Sequence, residues 1–220
     1  MKQFVKRLVL PGGRRVRRLR GGIAKGMLMQ IDLEHQSQRF WGFDERELLA
    51  TCRQLIPAAR SLVDIGANDG YYTMAFLRSG AERVVACEPG PAMEQLIENA
   101  RANGYQPDGR FMVERRLVGR DKDGVSIAEL IENLPRPVLL KVDIDGGEFD
   151  LLQSAETCES LKDVCWLIET HSPELEEHCV GWLKAHGYRP QIIYNARWRI
   201  VLPELRPIPH NRWLIAEASS

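Results

Sequence analysis

The stretch 61–72, SLVDIGANDGYY, constrains the fold of this chain more than any other. A short apolar run here gives way to a turn that is bracketed by Gly66 and Gly70. Glycines free the backbone for a tight turn and let a ligand approach main-chain N–H groups without a Cβ in the way. After the turn, small or apolar residues recur at the spacing of one helix face, namely Tyr72, Ala75, Phe76 and Ser79. The stretch therefore predicts a strand, a loop and a helix.

Glu88 is an acidic residue at a position where a nucleoside-binding fold needs one. The run Arg83–Glu88 has the composition of the next strand, with Glu88 at its carboxyl end. A doubly wound fold places a carboxylate at this distance from the glycine turn, where it binds the ribose hydroxyls of a cofactor. The dinucleotide pattern G-x-G-x-x-G is absent, because Asn68 stands two residues after Gly66. The glycine turn and Glu88 together predict a cofactor site.

Apolar runs alternate with helical patterns from residue 61 onward, which indicates a parallel sheet with crossover helices. The run Val138–Val142 is nearly all apolar, as a central parallel strand should be, and it delivers Asp143 to the carboxyl edge of the sheet. Val164–Ile168 is the next predicted strand and ends at Glu169. We therefore predict an α/β fold of the Rossmann type, with helices on both faces of the sheet.

The order of these motifs resembles that of class I methyltransferases, and one later stretch narrows the resemblance. Residues 140–148, LKVDIDGGE, look like the K-I-D-V-E-G-A-E signature of the FkbM-type methyltransferase family, with Asp145 in place of the first Glu and Gly147 in place of Ala. Leu167–His171 and Asn211–Leu214 extend the resemblance, which covers roughly residues 40 to 216. It implies a mostly parallel seven-stranded sheet, in which the last strand runs antiparallel beside the fifth.

The resemblance also implies S-adenosylmethionine as the cofactor and assigns the residues that bind it. Asp64 and the turn after it hold the methionine end, and Glu88 binds the ribose hydroxyls. Leu117, after the third predicted strand, lies where such folds line the adenine. The full predicted set is Asp64, Gly66, Ala67, Asn68, Asp69, Gly70, Tyr72, Glu88, Pro89 and Leu117.

Transfer of a methyl group to a hydroxyl needs a nucleophile in line and a group that accepts its proton. Asp143 and His171 are the predicted catalytic residues, because both follow strands that end at the same edge of the sheet. Histidine has an ordinary pKa of about 6.5, which suits it to accept a proton at neutral pH. Carboxylates at this edge also suit Mg²⁺ as an alternative to a base, although the sequence assigns no set of metal ligands.

The composition fits one domain with an extension. The 220 residues are 44% hydrophobic and 27% charged, which is ordinary for a globular protein. We divide the chain into an extension of residues 1–50 and a cofactor-binding domain of residues 51–220. No apolar run is long enough to span a bilayer, and the N-terminus lacks the apolar core of a secretory signal. The five cysteines are odd in number and form no C-x-x-C pair, which indicates a reduced compartment. These observations predict a cytoplasmic location.

The first 25 residues carry nine Lys or Arg residues and no acidic residue, although the net charge of the whole chain is zero. Such an arm favours an anionic lipid surface, nucleic acid or a phosphorylated substrate. Two hypotheses follow for residues 1–25, a solvated extension that docks on the acidic body and a peripheral contact with anionic membrane. As partner we expect a small-molecule or glycan acceptor and no nucleic acid.

The sequence is compatible with three functions. The first is an FkbM-type O-methyltransferase that acts on a hydroxyl of a sugar, glycolipid or natural product. A nicotinamide-dependent oxidoreductase would also need a glycine turn and Glu88, but the chain lacks the third glycine of the dinucleotide pattern and any Tyr-x-x-x-Lys pair. The third is a non-catalytic module that keeps the fold and uses the basic arm to bind membrane or nucleic acid.

Overall fold

The computed structural model describes residues 12–119, 123–155, 161, 163–196 and 210–218. Its strands are β1 (Arg15–Arg18), β2 (Leu28–Ile31), β3 (Ser61–Ile65), β4 (Arg83–Cys87), β5 (Phe111–Glu114), β6 (Val138–Val142), β7 (Val164–Thr170), β8 (Tyr188–Ile193) and β9 (Arg212–Ala218). Its α-helices are α1 (Leu33–Trp41), α2 (Leu49–Ala58), α3 (Tyr71–Ser79), α4 (Ala92–Ala102), α5 (Ile127–Ile131), α6 (Glu148–Ser154) and α7 (Pro173–Ala185), and a 3-10 turn spans Arg46–Leu48.

Seven strands form one sheet in the order β5-β4-β3-β6-β7-β9-β8. The strands β3 to β7 run parallel to one another, whereas β9 runs antiparallel to both β7 and β8. The strand order reverses between β3 and β6, and ligands of open α/β sheets bind at the carboxyl ends of the strands beside such a point. The predicted mostly parallel sheet of seven strands is therefore confirmed, including the antiparallel last strand beside the fifth.

The two central strands are buried along their whole length, because helices cover both faces of the sheet. All five residues of β3 and all five of β6 are buried. The helices α1 to α4 contribute to the core on one face, through residues such as Phe76 and Leu96. The helices α5 to α7 contribute to the core on the other face, through residues such as Ile127 and Trp182. This layering fixes the strand ends from which the site residues project.

The N-terminal part of the described chain shares a hydrophobic core with the sheet. Leu19, Met29 and Leu48 are buried in the same apolar cluster as Leu62 of β3. The strands β1 and β2 form an antiparallel hairpin beside this cluster. The predicted boundary at residue 50 thus does not separate two cores, and the division of the whole chain at that residue stays a prediction.

Side-chain amides of Asn99 in α4 and of Asn103, which follows α4 directly, hydrogen-bond the edge of β2 that faces away from β1. The Oδ1 atom of Asn99 accepts from the backbone N of Gln30 at 2.8 Å, and Oδ1 of Asn103 accepts from the backbone N of Leu28 at 2.8 Å. Asn103 also donates through Nδ2 to the carbonyl oxygen of Leu28 at 2.7 Å. Because Nδ2 of Asn99 donates to the carbonyl oxygen of Asp69 at 2.8 Å, α4 connects the hairpin to the loop after β3.

One local prediction is wrong. The D-x-x-E spacing of Asp44 and Glu47 predicts a capped helix start, but α2 begins only at Leu49, after the 3-10 turn. The carboxylate of Asp44 instead accepts a hydrogen bond from Nε of Arg39 at 3.0 Å. A guanidinium is a stronger partner for a carboxylate than a neutral backbone N–H, which explains why the cap does not form.

Location and membrane contact both stay predictions. Within the described ranges, no helix is long and apolar enough to cross a membrane. Free thiols are present at Cys52, Cys87, Cys165 and Cys179, and Cys158 lies outside the described residues. Residues 1–11 of the basic arm also lie outside the described residues. The described arginines of the arm that are exposed to solvent are Arg14, Arg15, Arg18 and Arg20.

Candidate active site

A cavity of about 860 Å³ opens at the carboxyl edge of the sheet and is called the cofactor cavity below. Its walls come from the loops that follow β3, β4, β5 and β6. Pockets that bind cofactors and other small molecules have volumes of about 300–1,000 Å³, so this one is large enough for a nucleoside cofactor. Six residues predicted from the sequence line it, namely Gly66, Asn68, Glu88, Pro89, Leu117 and Asp143.

The Glu88 carboxylate is held in place by two backbone N–H groups. Its Oε2 atom accepts from the N of Asn68 at 3.0 Å, and its Oε1 atom accepts from the N of Gly90 at 2.7 Å. Hydrogen bonds to a carboxylate are among the stronger ones in proteins, so the group is fixed before any ligand binds. Each oxygen keeps a second lone pair, and these lone pairs can accept from two ligand hydroxyls.

Gly66 lies where the loop after β3 passes close to the main chain after β6. Its φ is 73°, and a Cβ at this position would lie 1.8 Å from the carbonyl oxygen of Asp143. No side chain fits that gap. The glycine is therefore required by contact between two segments of backbone, in addition to the ligand access that the sequence predicts.

Replacing Gly66 by Ala is expected to cost about 1–3 kcal/mol more stability than replacing Gly80 by Ala. Both glycines have positive φ values, 73° and 84°, so both alanines carry similar backbone strain. A Cβ at Gly80 would meet nothing within 4 Å, whereas one at Gly66 would meet backbone. Urea unfolding of both variants measures the difference, and equal stability would contradict the close approach.

Lys141 is a buried lysine that joins the ends of β3 and β6. Its side chain is 2% exposed, and Nζ donates to the carbonyl oxygen of Gly66 at 2.9 Å. Nζ also lies 3.1 Å from Oδ1 of Asp64 and 3.5 Å from Oδ2 of Asp143. Burial disfavours the charged ammonium, but the carboxylates of Asp64 and Asp143 outweigh it, and the pKa of Lys141 is raised. The lysine therefore stays charged inside the protein.

Asp64 lies beneath the cofactor cavity and not in its wall. The side chain is fully buried, and Oδ2 accepts a hydrogen bond from Oγ1 of Thr73 at 2.6 Å. With Lys141 on its other oxygen, Asp64 connects β3 to α3 and β6. Its predicted contact with the methionine end of the cofactor stays a prediction.

Tyr72 also lies away from the cofactor cavity. Its ring centre is 5.2 Å from Nζ of Lys141, so an ammonium of the protein covers a π face that a cofactor sulfonium would otherwise use. The hydroxyl of Tyr72 donates to Oε2 of Glu45 at 2.5 Å. Burial raises the pKa of Glu45 well above its ordinary value, and the carboxylates of Asp44 and Glu169 raise it further.

A second, polar cavity of about 300 Å³ shares Asn68 with the cofactor cavity. Asp69 lines this second cavity, where its two oxygens accept from a guanidinium nitrogen of Arg39 at 3.0 and 3.1 Å. Ala67 and Gly70 line neither cavity and shape the turn between them. The remaining wall of the second cavity is formed by Arg14, His35, Gln36, Gln38, Asp44, Glu45 and Asn211.

His171 lies among four carboxylates at the ends of β6 and β7, and these five residues are called the His171 cluster below. Nδ1 of His171 lies 2.5 Å from Oε1 of Glu148, which is fully buried. Nε2 lies 3.4 Å from Oδ1 of Asp145, and 3.6 Å from both Oδ1 of Asp143 and Oε2 of Glu169. The structure thus brings the two predicted catalytic residues, Asp143 and His171, into one group.

Burial and neighbouring charges shift the pKa values in this cluster. Burial raises the pKa of Glu169 to about 7, an effect that His171 opposes and Asp143 reinforces. Burial disfavours a charged His171, but the neighbouring carboxylates of Glu148 and Glu169 outweigh it and raise the pKa of His171 to about 10. At neutral pH the imidazole is therefore protonated on both nitrogens. Nε2 can accept a proton or another group only after its own proton has left.

Three residues of the site receive no role from the sequence, namely Arg39, Glu45 and Lys141. A lysine inside an otherwise apolar strand is a usable signal, because a buried ammonium requires buried partners. Arg39 and Glu45 carry no comparable signal. Their roles come from Asp69 and Tyr72, which lie 30 and 27 residues further along the chain.

The family model of the methyltransferase FkbM domain matches residues 110–190. That span runs from just before β5 into β8 and contains the whole His171 cluster. A comparison with curated proteins finds no match.

Solved methyltransferase structures share the fold of this chain. Methyltransferase FkbM from Methylobacillus flagellatus KT has a TM-score of 0.57 and 18% identity, over 71% of this chain and 43% of its own. The ribosomal protein L11 methylase from Lactobacillus delbrueckii subsp. bulgaricus has a TM-score of 0.51 and 13% identity, over 79% of this chain and 77% of its own. TrmK from M. capricolum, solved with S-adenosyl-homocysteine, the natural cofactor product, has a TM-score of 0.52 and 14% identity, over 78% of this chain and 66% of its own. This chain thus spans less than half the length of the FkbM protein, and at these identities the likeness concerns the fold.

Proposed function

We propose that this chain is an FkbM-type S-adenosylmethionine-dependent methyltransferase, since residues 110–190 match the FkbM methyltransferase domain, and that it methylates a hydroxyl of a sugar, glycolipid or natural-product acceptor. The observation that carries the proposal is the cofactor cavity, which has the Glu88 carboxylate in one wall and Asp143 in another. The Glu88 carboxylate suits the hydroxyls of a ribose, and the Asp143 carboxylate suits chemistry on an acceptor hydroxyl. The two lie in the same cavity.

In this proposal the nucleoside of the cofactor lies between the loops after β4 and β5. Its ribose hydroxyls donate to the free lone pairs of Glu88. Leu117 supports an adenine ring here, because it lines the cavity and the residue is 54% exposed, so a bound ring would remove apolar surface from water. The methionine end then extends along Gly66 and Asn68 toward Asp143.

The second cavity supports a small, hydroxylated acceptor. Its wall is formed mostly by charged and amide side chains, which suit hydroxyl groups better than an apolar chain. Its volume of about 300 Å³ suits a sugar ring. The acceptor would enter beside Asn68, the residue that the two cavities share.

Asp143 and His171 are proposed to handle the proton of the acceptor hydroxyl. The Asp143 carboxylate is 17% exposed, lines the cofactor cavity and lies within 3.6 Å of Nε2 of His171. It is therefore placed to orient a hydroxyl toward the methyl group. His171 acts on that hydroxyl only through Nε2, because Nδ1 faces Glu148.

Replacing Glu88 by Ala is expected to weaken the binding of S-adenosylhomocysteine by about 1.5–3 kcal/mol, the value of hydrogen bonds to a charged group. Calorimetry with the full chain measures this change. Glu132→Ala, which removes an exposed carboxylate that does not line the cavity, is the matched control and should bind normally. NAD and NADP are expected to give no binding signal. Unchanged affinity in Glu88→Ala would contradict the proposed ribose site.

The acceptor class is tested with S-adenosylmethionine that carries a tritiated methyl group. The full chain is incubated with a panel of glycosides and hydroxylated natural products and, separately, with total RNA. Label in the small-molecule fraction, stable to mild base, supports transfer to a hydroxyl. Label in RNA would instead overturn the expectation that no nucleic acid is a partner.

A further inference from the structure

We propose that Asp143, Asp145 and His171 bind one divalent cation of the Mn²⁺ or Mg²⁺ class. The proposal rests on the proposed function, because it places the ion beside the acceptor hydroxyl. Within the described residues, the ligand atoms offered by these three side chains all lie within 4.8 Å of one another. The three side chains converge from the loop after β6 and the end of β7, at the border of the cofactor cavity.

The spacing of the donor atoms suits ligands of a common ion. Nε2 of His171 lies 3.4 Å from Oδ1 of Asp145 and 3.6 Å from Oδ1 of Asp143. Two neighbouring ligands that each lie about 2.1–2.4 Å from one ion are about 3.0–3.4 Å apart. A contraction of a few tenths of an ångström would therefore close the site on an ion.

A buried carboxylate without a donor provides an independent observation. The Glu169 side chain is 1% exposed, and within the described part of the chain neither of its oxygens has a hydrogen-bond partner. Its Oε2 atom lies 3.6 Å from Nε2 of His171, which has no hydrogen-bond partner there either. A buried charged group without hydrogen bonds is costly unless a cation compensates it. The two unpartnered groups lie 3.6 Å apart, and one of them, Nε2 of His171, is among the proposed ligand atoms.

The other nitrogen of His171 is arranged as in a metal-bound histidine. Nδ1 lies 2.5 Å from Oε1 of Glu148, which also accepts a hydrogen bond from the backbone N of Gly146 at 3.1 Å. A carboxylate on one ring nitrogen fixes the orientation of the ring and directs the other nitrogen to the metal. Glu148 is therefore proposed as a positioning residue for His171.

The charge of the cluster also favours a cation. Four carboxylates surround one imidazole. The ammonium of Lys141 lies 3.5 Å from Asp143, but it is shared with Asp64. The cluster therefore keeps an excess of negative charge that a divalent ion would reduce. A mixed set of oxygen and imidazole ligands suits Mn²⁺ as well as Mg²⁺. A bound ion of this kind would occupy Nε2 of His171 and would itself lower the pKa of the acceptor hydroxyl, in place of direct contact between the imidazole and the hydroxyl.

The test titrates Mn²⁺ into the chelator-treated full chain and follows free Mn²⁺ by electron paramagnetic resonance, without cofactor. We expect one site per chain, from which excess Mg²⁺ displaces Mn²⁺. Asp145→Asn and His171→Gln should each weaken Mn²⁺ binding at least tenfold. Glu148→Gln should weaken it about 10–100-fold, as is usual for groups that orient a ligand. Asp150→Asn is the matched control, since Asp150 is an exposed carboxylate of the same cavity outside the cluster, and it should bind Mn²⁺ normally.

Calorimetry with S-adenosylhomocysteine on the same variants separates the two proposals and reports folding. The Asp145 side chain is 79% exposed, so Asp145→Asn is expected to fold and to bind the cofactor product. If the wild-type chain binds S-adenosylhomocysteine but no Mn²⁺, the metal site is refuted and the proposed function stands. An equal loss of Mn²⁺ binding in Asp150→Asn would also refute the site. Mn²⁺ binding with the expected pattern supports the site even if S-adenosylhomocysteine does not bind.

Discussion

Replacing Lys141 by Met is expected to lower the free energy of unfolding by about 3–5 kcal/mol, the usual cost of removing one partner from a buried ion pair. Met retains most of the side-chain length but not the charge. Asp64, which is fully buried, would then keep only its hydrogen bond from Thr73. The hydrogen bond from Nζ to the carbonyl oxygen of Gly66 is lost as well. Urea unfolding followed by circular dichroism measures the change.

Two variants show whether this loss comes from buried charge. Lys184→Met removes an exposed lysine of α7 and should change stability by less than about 0.5 kcal/mol. Adding Asp64→Asn to Lys141→Met should recover part of the loss, because it removes the uncompensated carboxylate while its amide oxygen still accepts from Thr73. If Asp64→Asn instead adds a further full penalty, the two residues do not act as a pair.

Replacing Asp143 by Asn is expected to lower kcat by about 10²–10⁴-fold while the affinity for S-adenosylhomocysteine changes little. Asn has nearly the same volume as Asp, so the variant removes charge and keeps the packing. The carboxylate lies between Lys141 at 3.5 Å and His171 at 3.6 Å, where it both orients a hydroxyl and balances cations. Transfer of a tritiated methyl group to the acceptor that the wild-type chain uses measures kcat.

The control for Asp143→Asn is again Asp150→Asn, which removes a carboxylate from the same cavity without touching the His171 cluster. Its kcat should remain within about twofold of the wild-type value, as expected for an exposed group outside the chemistry. Wild-type turnover in Asp143→Asn would contradict the proposed role of this carboxylate. A loss of S-adenosylhomocysteine binding in that variant would instead place Asp143 in cofactor binding.

The sheet is predictable from the sequence because its signal is local. Mostly apolar runs of five residues mark both β3 and β6, and both strands are fully buried in the structure. The same runs place Asp143 at the carboxyl edge of the sheet, where it lines the cofactor cavity. Glu88 is found by the same reasoning, since one strand and one turn position it.

The remaining features depend on partners that are distant in sequence. The spacing of Asp44 and Glu47 matches a helix cap, but a guanidinium outside that window is the stronger partner for Asp44. The pattern of α3 predicts that Tyr72 lies on one helix face. It does not predict that Lys141, 69 residues later, covers the ring. His171 is recognisable as a site residue, but its raised pKa depends on Glu148 and Glu169, whose positions only the folded chain defines.

The amide contacts between α4 and β2 bear on how the protein behaves at high concentration. An exposed strand edge recruits strands from other chains and so promotes aggregation. Asn99 and Asn103 occupy the backbone N–H groups of Gln30 and Leu28 that a foreign strand would need. The other strand of the hairpin is only four residues long and carries three arginines, which repel a second copy. The hairpin therefore ends as a two-stranded ribbon, and neither of its edges is a good template for β-sheet growth between molecules.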